Sequence, residues 1–203
     1  VELKMKEKGI PVWGEVELAY RVGKGEVLAI TGTNGKTTTT SLLGEIMKAY
    51  REDVQVVGNI GTAYTSVALD TTEDTVTVAE ISSFQLETIE KFHPKASAIT
   101  NITEDHLNRH HTMEEYIRVK ERITENQTME DVCVLNYEDE VLRAFGEKLI
   151  AEQKVQVLFF SSLRALQDGI YCQDGTIWLA ENGEREPIVH TDELKILGQH
   201  NYE

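Results

Sequence analysis

The sequence predicts an α/β protein: a mostly parallel sheet of the phosphate-loop type, flanked by helices, with a small antiparallel β meander near the C-terminus. Three observations predict this fold class. Short β-branched runs alternate with longer stretches of helical periodicity, which is typical of parallel sheets with crossover helices. A glycine-rich turn followed by Lys-Thr joins the first such strand to the first such helix. Short strands separated by glycine and charged turns follow from residue 169 onwards.

The first half of the chain alternates strand and helix candidates. Gly25 and Gly32 bound the first strand candidate, and the apolar residues of the stretch after it, such as Leu43 and Met47, recur at helical spacing. The predicted strands are residues 27–31, 54–57, 75–81 and 96–100, and the predicted helices are residues 37–50 and 84–92. Before them, we expect a helix end, a short strand over residues 10–13 and the stretch 15–19.

The second half continues this alternation and then changes to short strands. Thr112 is the predicted N-cap of a helix, and Glu115, three residues later, predicts a capping box. The predicted helices are residues 112–126 and 138–152, the predicted strands are residues 131–135 and 155–160, and the predicted meander comprises residues 169–172, 175–179 and 187–189.

Composition excludes several function classes. The 203 residues include 20 Lys and Arg against 35 Asp and Glu, a formal net charge of −15. That charge argues against nucleic acid and anionic membranes as partners, since both call for clustered cations. No apolar run approaches the roughly 18 residues of a membrane span. Cys133 and Cys172 do not form a disulfide framework, and with no signal peptide we expect a cytoplasmic protein with reduced cysteines.

A phosphate-binding loop is the strongest local signal. Residues 31–38, here called the phosphate loop, follow a predicted strand and open a predicted helix. Gly32 and Gly35 allow a tight turn that aims N–H groups at phosphate oxygens, and the helix N-terminus adds partial positive charge. Lys36 can reach the β and γ phosphates, and the Thr37 hydroxyl can reach Mg²⁺. The alternative is a plain glycine-rich turn with an exposed lysine, and Ile30 stands where the common loop pattern has its first glycine.

Several motifs, in order, resemble those of the Mur ligase family, which also includes folylpolyglutamate synthases. The phosphate loop is similar to the family's ATP loop, which implies ATP contacts for Gly32, Thr33, Asn34, Gly35, Lys36, Thr37 and Thr38. The chain departs from the family pattern where Val57, Asn108 and His111 replace an expected Gly, Asp and Gly. The other matching segments are Gly58-Asn59-Ile60-Gly61, Glu80-Ile81-Ser82-Ser83-Phe84-Gln85-Leu86-Glu87, Asn101-Ile102-Thr103-Glu104-Asp105-His106-Leu107, Tyr116 with Lys120 and Ile123, and Gly198-Gln199-His200-Asn201.

The resemblance implies a three-domain ligase of peptidoglycan synthesis. Residues 1–22 are then expected to be a remnant of a UDP-binding N-terminal domain with its linker, and residues 23–203 the central ATP-binding domain, with the C-terminal domain absent. The Ser-Ser-Phe-Gln-Leu-Glu segment resembles the branch that adds D-glutamate. It implies UDP-N-acetylmuramoyl-L-alanine, D-glutamate and ATP as partners, Mg²⁺ as cofactor, and an acyl-phosphate intermediate.

Three residues after the third strand are candidates for metal and substrate contacts. Glu80 ends that strand, where ligands bind in open α/β sheets, and its carboxylate suits Mg²⁺. The alternative is a solvated strand end. Ser82 and Ser83 can donate hydrogen bonds to substrate phosphate or sugar, and helix capping is an equal alternative for either serine.

Other assignments depend on the resemblance. It implies that His106 is a second Mg²⁺ ligand, that Asn59 orients substrate and γ-phosphate, and that Asn201 contacts adenine. By residue type, Lys120 is a helix-surface lysine that cannot bind metal, whereas the resemblance implies a carbamate on Lys120 that joins His106 on Mg²⁺. Lys36, Lys120, His106 and Asn59 are thus the catalytic candidates. Glu104, Asp105, His110 and the acidic turn 137–140 are interpreted as solvated or capping groups.

Two further functions compete with the ligase hypothesis. The first is an isolated nucleotide-binding module that turns over little or nothing. The second is a phosphate-loop kinase or GTPase, against which the missing first glycine and the missing Asn-Lys-x-Asp signature argue.

Overall fold

The computed structural model describes residue 5 and residues 8–105 and 107–195. The strands are β1 (Glu26–Thr31), β2 (Val54–Gly58), β3 (Val76–Glu80), β4 (Ala96–Ile99), β5 (Val132–Asn136), β6 (Gln156–Ser161), β7 (Gly169–Gln173), β8 (Thr176–Glu181) and β9 (Glu184–His190). The α-helices are α1 (Glu15–Val22), α2 (Lys36–Tyr50), α3 (Tyr64–Val67), α4 (Ser83–Leu86), α5 (Leu107–His110), α6 (Met113–Glu121) and α7 (Glu140–Ala151). Three 3₁₀ turns cover Ala68–Asp70, Arg122–Thr124 and Thr191–Glu193.

Within the described residues, the strands form one sheet in the order β2-β3-β1-β4-β5-β6-β7-β8-β9. Neighbouring strands from β2 through β7 are parallel. The last two pairs, β7 with β8 and β8 with β9, are antiparallel. The predicted fold class is therefore confirmed, including the meander at one edge of the sheet.

Alternation along the strands supplies a core on both faces of the sheet. Ile30 faces one side, where it packs with Val76, Val78 and the α2 residues Leu43 and Met47. Its neighbour Ala29 faces the other side, in a larger cluster that includes side chains from α1, α6 and α7. The parallel strands are thus covered on both faces, and their carboxyl ends meet at one exposed edge.

The helix predicted over residues 84–92 ends much earlier, at Leu86. The Arg122 guanidinium donates to the carbonyls of Leu86, Glu87 and Ile89 at 2.7–2.8 Å. The buried Glu17 carboxylate accepts the N–H groups of residues 90–92. Two charged side chains from distant elements thus satisfy the backbone groups that helical bonds would otherwise satisfy.

Two other predicted elements also differ. Residues 10–14 form no strand; the Trp13 indole instead donates to Glu90, and its ring lies beneath Arg21. The helix that begins after Thr112 ends at Glu121 and continues as a 3₁₀ turn. Thr112 does accept the Glu115 N–H at 3.2 Å, but the Glu115 carboxylate pairs with Arg118, so the predicted capping box is only half formed.

The α1 helix packs into the larger core cluster through Val16 and Ala19, both fully buried. The assignment of residues 1–22 to a preceding domain is not tested by this packing and stays a prediction. Both cysteines are free, and burial raises the pKa of Cys133 to about 12. No helix among the described residues is long and apolar enough to cross a membrane.

Candidate functional site

The candidate site lies at the edge where the carboxyl ends of four neighbouring strands meet. The phosphate loop follows β1, and Asn59 follows β2. Glu80 ends β3, and residues 100–103, here called the β4 segment, follow β4. Since these strands are adjacent in the order β2-β3-β1-β4, their ends bring together residues that are up to about 70 positions apart in the sequence.

Both glycines of the phosphate loop have backbone conformations that other residues rarely adopt. Gly32 has φ +140° and is packed so closely on Thr100 that a Cβ would clash with the threonine hydroxyl. Gly35 has φ +81° and immediately precedes α2, which no described side chain caps. The first-turn N–H groups of an α-helix have no partner within the helix. These N–H groups and the helix dipole therefore favour an anion at the open edge.

Two lysines donate to carbonyl groups of the phosphate loop. The Lys36 ammonium donates to the Thr33 carbonyl at 2.8 Å, and the Lys120 ammonium donates to the Gly32 carbonyl at 2.7 Å. Lys36 is the first residue of α2, so its side chain starts at the N-terminal end of that helix.

A hydroxyl, a carboxylate and an amide are connected beside this loop. The Thr37 hydroxyl donates to one Glu80 oxygen at 2.9 Å, and the Asn59 side-chain amide donates to the other at 3.1 Å. Glu80 is buried, at 1% exposure, so the alternative of a solvated strand end is wrong. Gly58 permits this approach, because a Cβ there would clash with the Glu80 carbonyl.

The oxygen donors at this position fit a magnesium ion. Among residues 5, 8–105 and 107–195, no three His, Cys, Asp or Glu side chains converge on one point. Mg²⁺ does not need such a cluster, since it commonly binds one or two carboxylates together with water and substrate phosphates. Thr37 and Glu80 supply a hydroxyl and a carboxylate beside the place where phosphates would bind.

Lys120 is buried, at 2% exposure, although its residue type predicts a surface lysine. Its ammonium lies 4.8 Å from the centre of the Tyr116 ring. Burial, and then the positive charge of Lys36, lowers the pKa of Lys120 from 10.5 to about 7, against an opposing effect of Asp105. The uncharged amine is therefore accessible at a much lower pH than for an exposed lysine.

The two candidate serines have different surroundings. Ser82 is the N-cap of α4 and forms a capping box with Gln85. The Ser83 hydroxyl is buried and lies 2.9 Å from His110 Nε2, so the structure does not present it at the open edge. His110 itself is only 3% exposed and stacks on Phe84. The interpretation of His110 as a solvated group is therefore wrong.

The structure describes some of the other predicted site residues and not others. Glu104 is exposed, as expected for a solvated group. In the acidic turn, Asp139 caps α7, as expected, and also accepts the Ile102 N–H at 2.7 Å. His106 and Asn201, and with Asn201 the whole segment 198–201, lie outside the described residues.

Sequence reasoning gave no role to three residues that hold the phosphate loop. The Tyr116 hydroxyl lies 3.2 Å from the Thr33 hydroxyl, which also accepts the Thr103 N–H at 3.0 Å. Asn101 forms hydrogen bonds with both Thr33 and Asn34. Asn101 and Thr103 follow β4, the strand adjacent to β1. A prediction from the sequence that β1 pairs with β4 would have indicated these contacts.

Comparison with known proteins gives a family match over most of the chain. The sequence model of the Mur ligase middle domain matches residues 30–203. A UDP-N-acetylmuramoylalanine–D-glutamate ligase of Lachnoclostridium phytofermentans is 54% identical over 200 residues, which is 98% of this chain and 43% of that protein. A ligase of the same name from Lachnospira eligens is 54% identical over 203 residues, 100% of this chain and 44% of that protein. The chain thus spans less than half the length of these curated relatives.

Solved structures share the fold at lower identity. A UDP-N-acetylmuramoyl-L-alanyl-D-glutamate–2,6-diaminopimelate ligase superposes with a TM-score of 0.65 at 23% identity, covering 92% of this chain and 42% of that one. A Thermotoga maritima MurF ligase in complex with ADP superposes with a TM-score of 0.58 at 20% identity, covering 85% of this chain and 42% of that one. With residues 30–203 matched by its middle-domain model, the chain belongs to the Mur ligase family.

Proposed function

We propose that this chain is the ATP-binding part of a ligase that joins D-glutamate to UDP-N-acetylmuramoyl-L-alanine. The observation that carries the proposal is the phosphate loop, in which Thr37 shares the Glu80 carboxylate with Asn59 through hydrogen bonds. The chain that contains it is 54% identical to two UDP-N-acetylmuramoylalanine–D-glutamate ligases. Since the chain spans about 43% of such a relative, the activity is proposed for the longer protein.

ATP is the proposed ligand of the phosphate loop. The N–H groups at the start of α2 and the Lys36 ammonium would bind its phosphates. The exposed positions of Asn34, Gly35, Thr37 and Thr38 leave this side of the loop accessible. By the resemblance, Gly32 and Thr33 belong to the same ATP contacts, and Asn201 contacts adenine.

Magnesium is the proposed cofactor, held by Thr37 and Glu80 and, by the resemblance, by His106 and Lys120. When bound, it supplies positive charge that offsets the charge developing on transferred phosphate. A Lys120 carbamate is part of the proposal. The uncharged amine attacks the carbon of CO₂: an N–C bond forms, one C–O π bond opens to give an oxyanion, and the nitrogen loses one proton to water. The neutral amine thereby becomes an anionic oxygen ligand. A pKa near 7 supplies the uncharged amine.

The proposed reaction has two steps. The carboxylate of UDP-N-acetylmuramoyl-L-alanine attacks the γ-phosphorus of ATP, giving an acyl phosphate and ADP. The amine of D-glutamate then attacks the acyl carbon and phosphate leaves. The first step gathers negative oxygens, so the chain's contribution is charge and orientation rather than a base. Lys36 would neutralise charge, and Asn59 and Ser82 would orient the substrate.

The proposed domain division follows the same resemblance. Residues 1–22 would be the end of a UDP-binding domain with its linker, and residues 23–203 the ATP-binding domain. The 203-residue chain alone has a second candidate function, Mg·ATP binding with negligible ligation, because the resemblance implies that the D-glutamate and uridine sites lie in other domains.

A chimeric enzyme tests the proposed ligation. This chain replaces the matching 203 residues of the Lachnospira eligens ligase, with which it aligns over its whole length. We expect phosphate release that requires both UDP-N-acetylmuramoyl-L-alanine and D-glutamate, and that is lost in Lys36→Ala. A Lys48→Ala chimera is the matched control, since Lys48 is exposed and pairs with Glu45, which is also exposed. A folded chimera whose ATP cleavage is absent or independent of D-glutamate would contradict the proposal.

A further inference from the structure

Asn101, in the β4 segment, makes three hydrogen bonds to the phosphate loop. Its side-chain oxygen accepts the Asn34 N–H at 2.9 Å, and its side-chain amide donates to the Asn34 carbonyl at 3.2 Å. Its own backbone carbonyl accepts the Thr33 N–H at 2.9 Å. One residue thus pairs with two consecutive residues of the loop, in the way a neighbouring strand would.

We propose that Asn101 is a positioning residue that holds the phosphate loop in its anion-binding shape. The inference rests on the proposed nucleotide site and deepens it. Asn101 itself is not expected to touch the nucleotide; it would act through the backbone of Asn34 and Gly35.

Peptide geometry explains how this pairing would work. In a trans peptide, the carbonyl and the following N–H point in opposite directions. The Asn34 carbonyl is held toward the β4 segment, by the Asn101 amide and by the Thr100 hydroxyl at 2.6 Å. The Gly35 N–H is therefore turned away from that segment, toward the open side of the loop. That N–H lies at the start of α2, where a phosphate would bind.

The loop needs such a support because its own sequence does not restrict it. Gly35 has open space around its Cα, since a Cβ added there would meet no described atom within 4 Å, and Asn34 is exposed. A glycine loses more conformational freedom on ordering than any other residue. Without the pairing, nucleotide binding would have to order this backbone, and that cost would weaken affinity.

Nucleotide titration of this chain tests the inference. Mg·ATP, Mg·ADP and adenosine are titrated into the wild type, Asn101→Ala and Asn126→Ala. Asn126 is the matched control, because its amide also donates two hydrogen bonds to backbone carbonyls, those of Glu90 and Phe92, away from the loop. We expect Asn101→Ala to raise the Kd of Mg·ATP and Mg·ADP on the order of ten- to a hundredfold, the equivalent of two lost hydrogen bonds. Asn101→Ala should bind adenosine with the same affinity as the wild type. Asn126→Ala should bind all three ligands with wild-type affinity.

The isosteric variant Asn101→Asp guards against a folding defect. It keeps an oxygen for the Asn34 N–H and loses the donor to the Asn34 carbonyl, so it should also bind Mg·ATP more weakly while unfolding near the wild-type temperature. A wild-type chain that does not bind Mg·ATP would refute the proposed function. Wild-type binding with unchanged affinity in Asn101→Ala or Asn101→Asp, or equal losses for ATP and adenosine, would refute only the positioning role.

Discussion

Glu17 is predicted to be one of the most important single residues for the stability of this fold, although it is not part of the candidate site. Its carboxylate is fully buried and accepts three consecutive backbone N–H groups, those of residues 90–92. It also pairs with the Arg21 guanidinium at 2.6 Å. The perturbation is Glu17→Gln, which keeps the shape, removes the charge and places an NH₂ group toward N–H donors.

The expected cost follows from these contacts. Removing one partner of a buried, hydrogen-bonded charge pair costs about 3–5 kcal/mol. Here the N–H groups of residues 90–92 lose the carboxylate to which they donate, whereas Arg21 keeps its ion pair with Glu90 at 2.7 Å. Glutamine keeps one acceptor oxygen, so the lower end, about 3 kcal/mol, applies. For a chain of this size the entropy of unfolding is about 0.4 kcal/mol/K, which converts this loss into a fall in Tm of roughly 7 °C.

Thermal and urea unfolding measure this loss, with Glu45→Gln as the control. Glu45 is exposed and pairs with the exposed Lys48, so its variant should unfold within about 1 °C of the wild type. A Glu17→Gln chain that also unfolds within about 1 °C of the wild type would refute the reasoning, because the buried contacts would then contribute nothing.

The same residue predicts a pH dependence with a definite sign. Burial raises the pKa of Glu17, but the N–H groups of Glu90 and Lys91, the Arg21 guanidinium and the Phe92 N–H outweigh it and hold the pKa below 4.5. A carboxylate whose pKa is lower in the folded chain than in the unfolded chain stabilises the fold fully at pH values above its unfolded pKa. This stabilisation is lost as the pH falls through the folded pKa. The difference between wild type and Glu17→Gln should therefore be constant above about pH 5 and shrink below pH 4.5.

Two further stability predictions concern backbone conformation. Gly32→Ala should cost more than Gly35→Ala in urea unfolding, by about 1 kcal/mol or more, because both have positive φ but only Gly32 is packed against Thr100; equal costs would contradict the close approach. His111 has φ +66°, at the position where the family resemblance predicts glycine. His111→Gly should therefore stabilise the chain by about 0.5–1 kcal/mol in the same assay, and a destabilised variant would contradict that assignment of strain.

Local sequence patterns predicted the strands and the phosphate loop well, because the forces involved act over a few residues. Alternating runs, glycines and the Lys-Thr pair determine where β1 ends and α2 begins. The same local reasoning failed for residues 87–92. Helical periodicity continues there, but the backbone groups form hydrogen bonds with Arg122 and Glu17 instead of with one another. These two residues lie some 35 and 75 positions away.

The candidate site was predictable in its residue types and not in its supporting contacts. Glu80 could be placed beside Thr37 of the phosphate loop because parallel strands present their carboxyl ends together. The burial of Lys120 and the pairing of Asn101 with Asn34 depend on contacts across 88 and 67 positions. Residue type alone indicates the opposite for Lys120, since lysine is seldom buried.

The most direct test of the account is whether this chain binds Mg·ATP through Lys36. Thermal unfolding is measured with a non-hydrolysable Mg·ATP analogue for the wild type, Lys36→Ala and the exposed control Lys48→Ala. Ligand at about a hundred times Kd should add about 2.7 kcal/mol, a rise in Tm on the order of 5 to 10 °C. We predict this rise in the wild type and in Lys48→Ala, and its loss in Lys36→Ala. No saturable rise in the wild type, or an equal rise in Lys36→Ala, would contradict an ATP site built on the phosphate loop.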